Sequence, residues 1–333
     1  MTLTVLYPER MYPDSTVEEG ILGPGVRVVM RDVASVSELD QADCDAADGL
    51  MIFRFFVTPE ELARFPKLKA VVRMGVGYDR LPREQARKQG VTICNVPDYG
   101  TSEVSDHAMA LMLALRRGIT LHHDLQRASA PWAYVDHPAI QRLSRQRLGI
   151  VGIGRMGTAV ALRAKAFGMK IAFYDPYVPN GTELALGVER CATLDELLRR
   201  SDILTVHTPL SPETRGMIGA AQLALLPENA ILVNTARGPI VDLDAVEAAL
   251  RSGRLAAAGL DVIPVEPPVE PIPPLLKAYR ANESWLAGRL IITPHSAFHT
   301  PDAWVDIRVK SAETIKAALL GPRPQNVIGP DDF

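Results

Sequence analysis

The sequence predicts an α/β protein made of two doubly wound parallel-sheet domains. Three observations carry this. Short apolar runs alternate with helix-period segments along the whole chain, the rhythm of parallel strands joined by crossover helices. A strand-to-helix turn of the G-x-G-x-x-G type, Gly152, Gly154 and Gly157, normally opens a nucleotide-binding sheet, yet here it lies near the middle, so another α/β unit precedes it. The length of 333 residues also exceeds what one ordinary core accommodates.

In chain order, strands are expected at 3–7, 26–30, 50–53, 70–73 and 92–95, then at 149–153, 170–174, 203–207, 230–234, 258–261 and 290–293. Between the two sets, 102–116 reads as a long apolar helix through Val104, Ala108, Leu111, Met112 and Leu115. Residues 118–146 are polar, carry Trp132 and Tyr134, and show no clear period. They fit an arm against a partner chain or a plain surface excursion equally well. Thr193-Leu194-Asp195-Glu196 has the pattern of a capping box. Residues 264–274 hold too many prolines for helix or central strand and read as a loop near the site. Thr300-Pro301-Asp302 starts a final helix over about 301–320, long enough to carry the chain back to the first unit.

Composition narrows the function. Hydrophobic residues make up 47% and charged residues 23%, as in soluble globular proteins. A net charge of −3 gives no bulk attraction to nucleic acid or anionic membranes. The amino-terminal segment reads as a strand rather than a signal peptide, and the apolar run 107–115 is too short to span a membrane. Cys44, Cys94 and Cys191 are scattered without metal-ligand spacing, which points to a reducing, cytoplasmic setting and to no bound metal.

The glycine turn has a chemical reading. Gly152 permits the tight turn, Gly154 lets a pyrophosphate approach the backbone, and Gly157 lets the helix pack on the strand. The first helical N–H groups then face the phosphates. Asp175 ends the next strand, where a carboxylate accepts both ribose hydroxyls of an adenosine and repels a 2′-phosphate. NAD is therefore expected as cofactor, in preference to NADP.

Three later strands end in reactive side chains. Asn234-Thr235-Ala236-Arg237-Gly238 follows one, Asp261 through Glu266-Pro267 a second, and Thr293-Pro294-His295 a third. Ligands of open parallel sheets bind at carboxyl strand ends, so all three face one crevice.

Together with Arg73-Met74-Gly75-Val76-Gly77-Tyr78-Asp79, Thr101 to Ala108 and His207-Thr208-Pro209-Leu210, these motifs resemble the D-isomer-specific 2-hydroxyacid dehydrogenase family over nearly the whole chain. Residues 162–177 and the proline-rich stretch look like its C-terminal-binding-protein branch and bacterial relatives. The resemblance implies a Rossmann NAD domain, 101–298, inserted into a flavodoxin-like substrate domain, 1–100 with 299–333. It implies interconversion of a small D-2-hydroxy acid and its 2-oxo acid, and a homodimer. His295 is then the acid–base, Glu266 its partner, and Arg237 the carboxylate clamp. Arg73, with N–H groups at Val76 and Gly77, holds substrate, and Arg54 reaches the same pocket. Arg155, Met156, Thr208, Pro209, Thr235, Ala236 and Asp261 join the glycines and Asp175 around the cofactor, Asp261 either anchoring the carboxamide or bracing the sheet. The branch resemblance also implies an alternative, an NAD(H)-gated protein-binding scaffold.

Two departures from the family pattern bear on substrate. Ser296-Ala297-Phe298 replaces the small glycine-rich residues that many members carry after the histidine, and the proline insert lengthens the interval from Glu266 to His295. Glu266 stands where formate-oxidising relatives have glutamine, which argues against formate. Among other histidines, His107 reads as packed in an apolar helix, His122, His123 and His137 as solvated, and His299 with Phe298 as candidates for the pocket wall.

Overall fold

The computed structural model describes residues 2–329. The chain divides into two compact units, Met1–Gly100 with His299–Phe333, and Thr101–Phe298. In the first, β1 (Leu3–Tyr7), β2 (Val26–Met30), β3 (Gly49–Ile52), β4 (Ala70–Arg73) and β5 (Thr92–Asn95) form a parallel sheet of order β2-β1-β3-β4-β5. That is the flavodoxin-like order. In the second, β6 (Arg147–Val151), β7 (Lys170–Tyr174), β8 (Glu189–Arg190), β9 (Ile203–Val206), β10 (Ala230–Asn234), β11 (Leu255–Leu260) and β12 (Leu290–Ile292) form a parallel sheet of order β12-β11-β10-β9-β6-β7-β8. Strand order reverses between β6 and β9, the doubly wound Rossmann arrangement with one further strand.

The second sheet shows why its strands read as unbroken apolar runs. Leu204, Val206, Leu232 and Leu260 point into one core, while Ile203, Ile231, Val233 and Ala257 point into the other. Both faces are covered, so alternation has no polar side to show. Each leucine, isoleucine or valine among them contributes about 1.5–3 kcal/mol on burial. The first unit packs Leu6, Leu50, Ile52, Val71 and Ile93 into a core of its own.

Elements differ from the sequence expectation in instructive places. β6 spans Arg147–Val151, not 149–153, because Gly152 and Ile153 already belong to the turn. β11 begins at Leu255, three residues early. β8 has no counterpart in the sequence pattern; it is a two-residue edge pairing with β7. A nine-residue helix, Ile119–Arg127, occupies part of the stretch without visible period, because Leu121 alone of its residues is buried. Trp132 and Tyr134 lie beyond it on irregular chain, 93% and 90% exposed. At Thr193 the hydroxyl caps Glu196 N–H at 3.1 Å, but the Glu196 carboxylate accepts from Ala192 N–H instead of completing the box. Pro274 opens a helix, Pro274–Arg280, rather than ending a loop. The last helix, Pro301–Leu320, is capped by Thr300 as expected.

His122 and His137 are half-buried rather than freely solvated. His122 Nδ1 pairs with Gly118 O at 2.8 Å, and burial lowers the His137 pKa. No helix among the described residues is long and apolar enough to cross a membrane.

A guanidinium is buried inside the second unit. Arg116, at the end of the helix Thr101–Arg116, is fully buried and donates to the carbonyls of Ala139 (3.2 Å), Asn229 (3.1 Å) and Asp202 (2.6 Å). Burial lowers its pKa to about 10. It ties the chain entering β9 and β10 to the irregular stretch around Ala139. Arg116→Ala takes the donor from the Ala139 and Asn229 carbonyls, while Asp202 O keeps Ile231 N–H at 3.0 Å, and should cost about 3 kcal/mol in urea denaturation of the full chain; a loss below about 0.5 kcal/mol would mean water replaces the guanidinium without penalty.

Candidate active site

The glycine turn joins β6 to the helix Arg155–Ala166. Gly152 has φ 87°, and a Cβ there would lie 2.9 Å from Thr208 N, so the turn runs against the tip of β9. A Cβ at Gly157 would meet Gly152 O at 2.1 Å. Gly154 has nothing within 4 Å of an added Cβ and is exposed, so its backbone borders open space. No side chain caps the helix, which leaves the N–H groups of its first turn, at Arg155, Met156 and Gly157, without an intrahelical partner. Asp175 follows β7, and its carboxylate accepts from Ile153 N–H at 2.9 Å and Tyr177 N–H at 3.0 Å. It is thereby held over the glycine turn. At the tip of β10, Thr235 Oγ1 is buried without a hydrogen-bond partner among the described residues. These features fit a dinucleotide: open donors for phosphate, a fixed carboxylate for ribose, and an orphan hydroxyl for an amide or water.

The three reactive segments leave adjacent strands. Asn234 pairs with Leu260, and Leu260 with Ile292, so the tips of β10, β11 and β12 lie level. Asn234 shapes its own loop: its side chain accepts from Ala236 N–H and donates to Arg237 O, both at 3.0 Å. Glu266 curls back on its loop to accept from Ile263 N–H at 2.9 Å. Its other oxygen lies 2.5 Å from His295 Nδ1. Burial opposes ionisation of Glu266, but the His295 hydrogen bond, the imidazole charge, the Ile263 N–H and the Arg237 charge outweigh it, and the carboxyl ionises below its ordinary range. An ionised Glu266 only accepts, so His295 Nδ1 carries the proton and Nε2 is the ring atom left for other chemistry. Both side chains stay partly accessible, at 34% for His295 and 23% for Glu266.

His295 has φ 54°, in the left-handed region, at a cost of about 1–3 kcal/mol. Asp261 holds it there. Its backbone carbonyl accepts from His295 N–H at 2.8 Å. Its carboxylate accepts from the Thr293 hydroxyl (2.6 Å) and from Ser296 and Ala297 N–H (2.9 and 3.0 Å). Asp261 therefore braces the turn of His295. His107, expected as a packed histidine, is partly buried and places Nε2 at 3.0 Å from Thr293 Oγ1.

In the first unit, Arg73 ends β4, and Arg54 follows β3. Their guanidinium carbons lie 5.5 and 5.7 Å from the Phe53 ring centre. Val76 O accepts from Asn95 Nδ2 at 2.7 Å, and Gly77 follows it in the same loop. Glu9 accepts from Phe53 N–H (2.5 Å) and Arg54 N–H (2.6 Å), and so fixes the turn that presents Arg54. Burial raises its pKa despite these bonds. No sequence signal marks Glu9. His299 packs edge-on against Trp304, 6.3 Å between centroids. Among the described residues no cluster of His, Cys, Asp or Glu is placed to hold a metal ion.

The Glu266 shift sets a pH dependence. Its pKa is lower folded than unfolded, so its stabilisation is complete above the ordinary carboxylate range and is lost as pH falls through the lowered value. Glu266→Gln lacks that component. The stability advantage of wild type over Glu266→Gln, from urea melts between about pH 7 and about pH 3, should shrink as pH falls; a constant difference would remove the ion pair as its source.

The chain is similar in sequence and fold to known proteins. Residues 109–297 match the family model described as D-isomer specific 2-hydroxyacid dehydrogenase, NAD binding domain. The chain is 39% identical over 273 residues to D-3-phosphoglycerate dehydrogenase of Methanocaldococcus jannaschii, covering 82% of this chain and 49% of that one. It is 34% identical over 320 residues to C-terminal-binding protein 1 of Caenorhabditis elegans, covering 94% and 43%. The chain thus spans about half the length of these relatives or less. The structure of D-lactate dehydrogenase from Aquifex aeolicus, complexed with NAD and lactic acid, superposes with a TM-score of 0.80 at 27% identity, covering 96% of each chain. With a Rossmann unit that matches the NAD-binding model and a second parallel-sheet unit beside it in sequence, the chain belongs to the D-isomer-specific 2-hydroxyacid dehydrogenase family.

Proposed function

We propose that the protein is an NAD-dependent dehydrogenase that interconverts a small D-2-hydroxy acid and its 2-oxo acid, with His295 and Glu266 as acid–base pair and Arg237 as carboxylate clamp. The observation that carries this is the 2.5 Å contact of His295 Nδ1 with an ionised Glu266 on a neighbouring strand tip. It commits one ring nitrogen and leaves Nε2 to exchange a proton with substrate oxygen. Bound NAD(H) supplies or accepts the hydride.

In reduction, His295 donates its Nε2 proton to the carbonyl oxygen as that oxygen gains charge. Glu266 favours the imidazolium that precedes this step and keeps the ring from turning. Arg237 offers a planar fork that pairs with two carboxylate oxygens at once, which lysine does not reproduce. In the same reading Arg73, Val76, Gly77 and Arg54 bind the substrate, and residues 1–100 with 299–333 form the substrate domain. Gly152, Gly154, Arg155, Met156, Gly157, Asp175, Thr208, Pro209, Thr235 and Ala236 hold the cofactor. The names of the relatives, which include a D-3-phosphoglycerate and a D-lactate dehydrogenase, support a 2-hydroxy acid without choosing one. The reading includes a cytoplasmic homodimer, in keeping with three free buried cysteines and the exposed rings of Trp132 and Tyr134.

The likeness to C-terminal-binding protein 1 favours one second reading, an NAD(H)-gated scaffold. A panel of 2-oxo acids, followed by loss of NADH absorbance, separates the two. The dehydrogenase reading expects turnover of at least one acid, and expects His295→Ala to reduce it by at least about 10³-fold with NADH affinity within about threefold of wild type. Tight NADH binding without turnover of any acid would favour the scaffold.

A further inference from the structure

Outside the residues assigned above, one polar side chain reaches the turn that carries His295. His107 lies on the helix Thr101–Arg116, whose buried residues apart from the terminal Arg116 are small or apolar. Its Nε2 is 3.0 Å from Thr293 Oγ1 and 3.7 Å from Asp261 Oδ1. The Thr293 hydroxyl has one hydrogen, and that hydrogen goes to Asp261 Oδ1 at 2.6 Å. Toward His107 the hydroxyl can therefore only accept, and His107 must carry its proton on Nε2. The result is a directed chain: His107 donates to Thr293, Thr293 to Asp261, and Asp261 takes the N–H groups of Ser296 and Ala297 on either oxygen. His295 is enclosed by this chain in sequence, between Thr293 and Ser296, and is held at φ 54°.

The position in the chain adds weight. The helix of His107 begins at Thr101, the first residue of the second unit, and the braced turn ends at Ala297, one residue before the last. The two ends of the inserted unit are thus tied to each other by this hydrogen bond, inside that unit.

We propose that His107 is a positioning residue for His295: its Nε2–H fixes the Thr293 hydroxyl on Asp261 and thereby holds the 293–297 turn in the geometry that presents the imidazole. The inference rests on the reading of His295 as acid–base. A donor at Nε2 is what the position requires, so glutamine, whose amide nitrogen reaches a similar point, should serve, and phenylalanine, with the same ring shape and no donor, should not.

The test compares His107→Phe, His107→Gln and Thr293→Val as full-length chains, with NADH and a 2-oxo acid that wild type reduces. Hydrogen exchange at Ser296 and Ala297 is followed alongside turnover. His107→Phe and Thr293→Val should each lower kcat about tenfold, with KM for NADH unchanged and faster exchange at both amides. His107→Gln should stay within about threefold of wild type and keep its protection. Equal losses in the Phe and Gln variants, or unchanged exchange in His107→Phe, would overturn the proposal. His295→Ala separates the two levels: if it is inactive while His107→Phe behaves as wild type, the positioning role fails alone. If His295→Ala keeps its turnover, the acid–base reading fails, and the role proposed for His107 falls with it.

Discussion

At the tip of β11 the carboxylate of Asp261 is 1% exposed and accepts three hydrogen bonds, from Thr293, Ser296 and Ala297. A buried carboxylate is costly unless donors surround it, and once they do, removing any of them leaves charge uncompensated. The turn after β12 is consequently not free to relax. His295 keeps a backbone conformation that costs about 1–3 kcal/mol, because releasing it would strip Asp261 of its donors. The Nδ1 contact with Glu266 then fixes the ring on a backbone that is already fixed. Two carboxylates thus act on one residue, Asp261 through its main chain and Glu266 through its imidazole.

The sheet makes this arrangement available. Parallel strands in register bring the carboxyl ends of β10, β11 and β12 to one level, so loops separated by tens of residues in sequence deliver Arg237, Glu266 and His295 side by side. The same sheet, four strands further along from β12, delivers the glycine turn at β6, and β9 brings Thr208 against it. Function here depends on strand order more than on any single loop, since the order decides which tips are neighbours.

Much of this is legible in the sequence because its causes are local. The roles of Gly152 and Gly157 follow from spacing, and the structure gives each a distance that no side chain tolerates. Reactive residues directly after apolar runs place Arg237, Glu266 and His295 at strand ends without any knowledge of topology. The strand pattern fails where pairing, not composition, defines an element: β8 exists only as two rungs on β7. The helix 119–127 escapes because a single buried leucine makes no period. His107 and Glu9 escape for another reason. Their partners are 186 and 44 residues away, and no spacing rule connects a histidine on an apolar helix to a threonine beyond a distant strand. The part played by Asp261 stays open in the sequence for the same reason, since its donors arrive from another strand.

If Glu266 fixes the tautomer of His295, Nε2 is the atom that exchanges protons, and the proposed chemistry follows from that assignment. Nitrogen-15 NMR of the His295 imidazole, in protein with labelled histidine and His295→Gln for assignment, reads the tautomer directly. The neutral ring should show a protonated Nδ1 and an unprotonated Nε2, with the Nδ1 proton shifted far downfield in wild type and not in Glu266→Gln. A neutral ring protonated at Nε2, or spectra indifferent to Glu266→Gln, would refute the assignment.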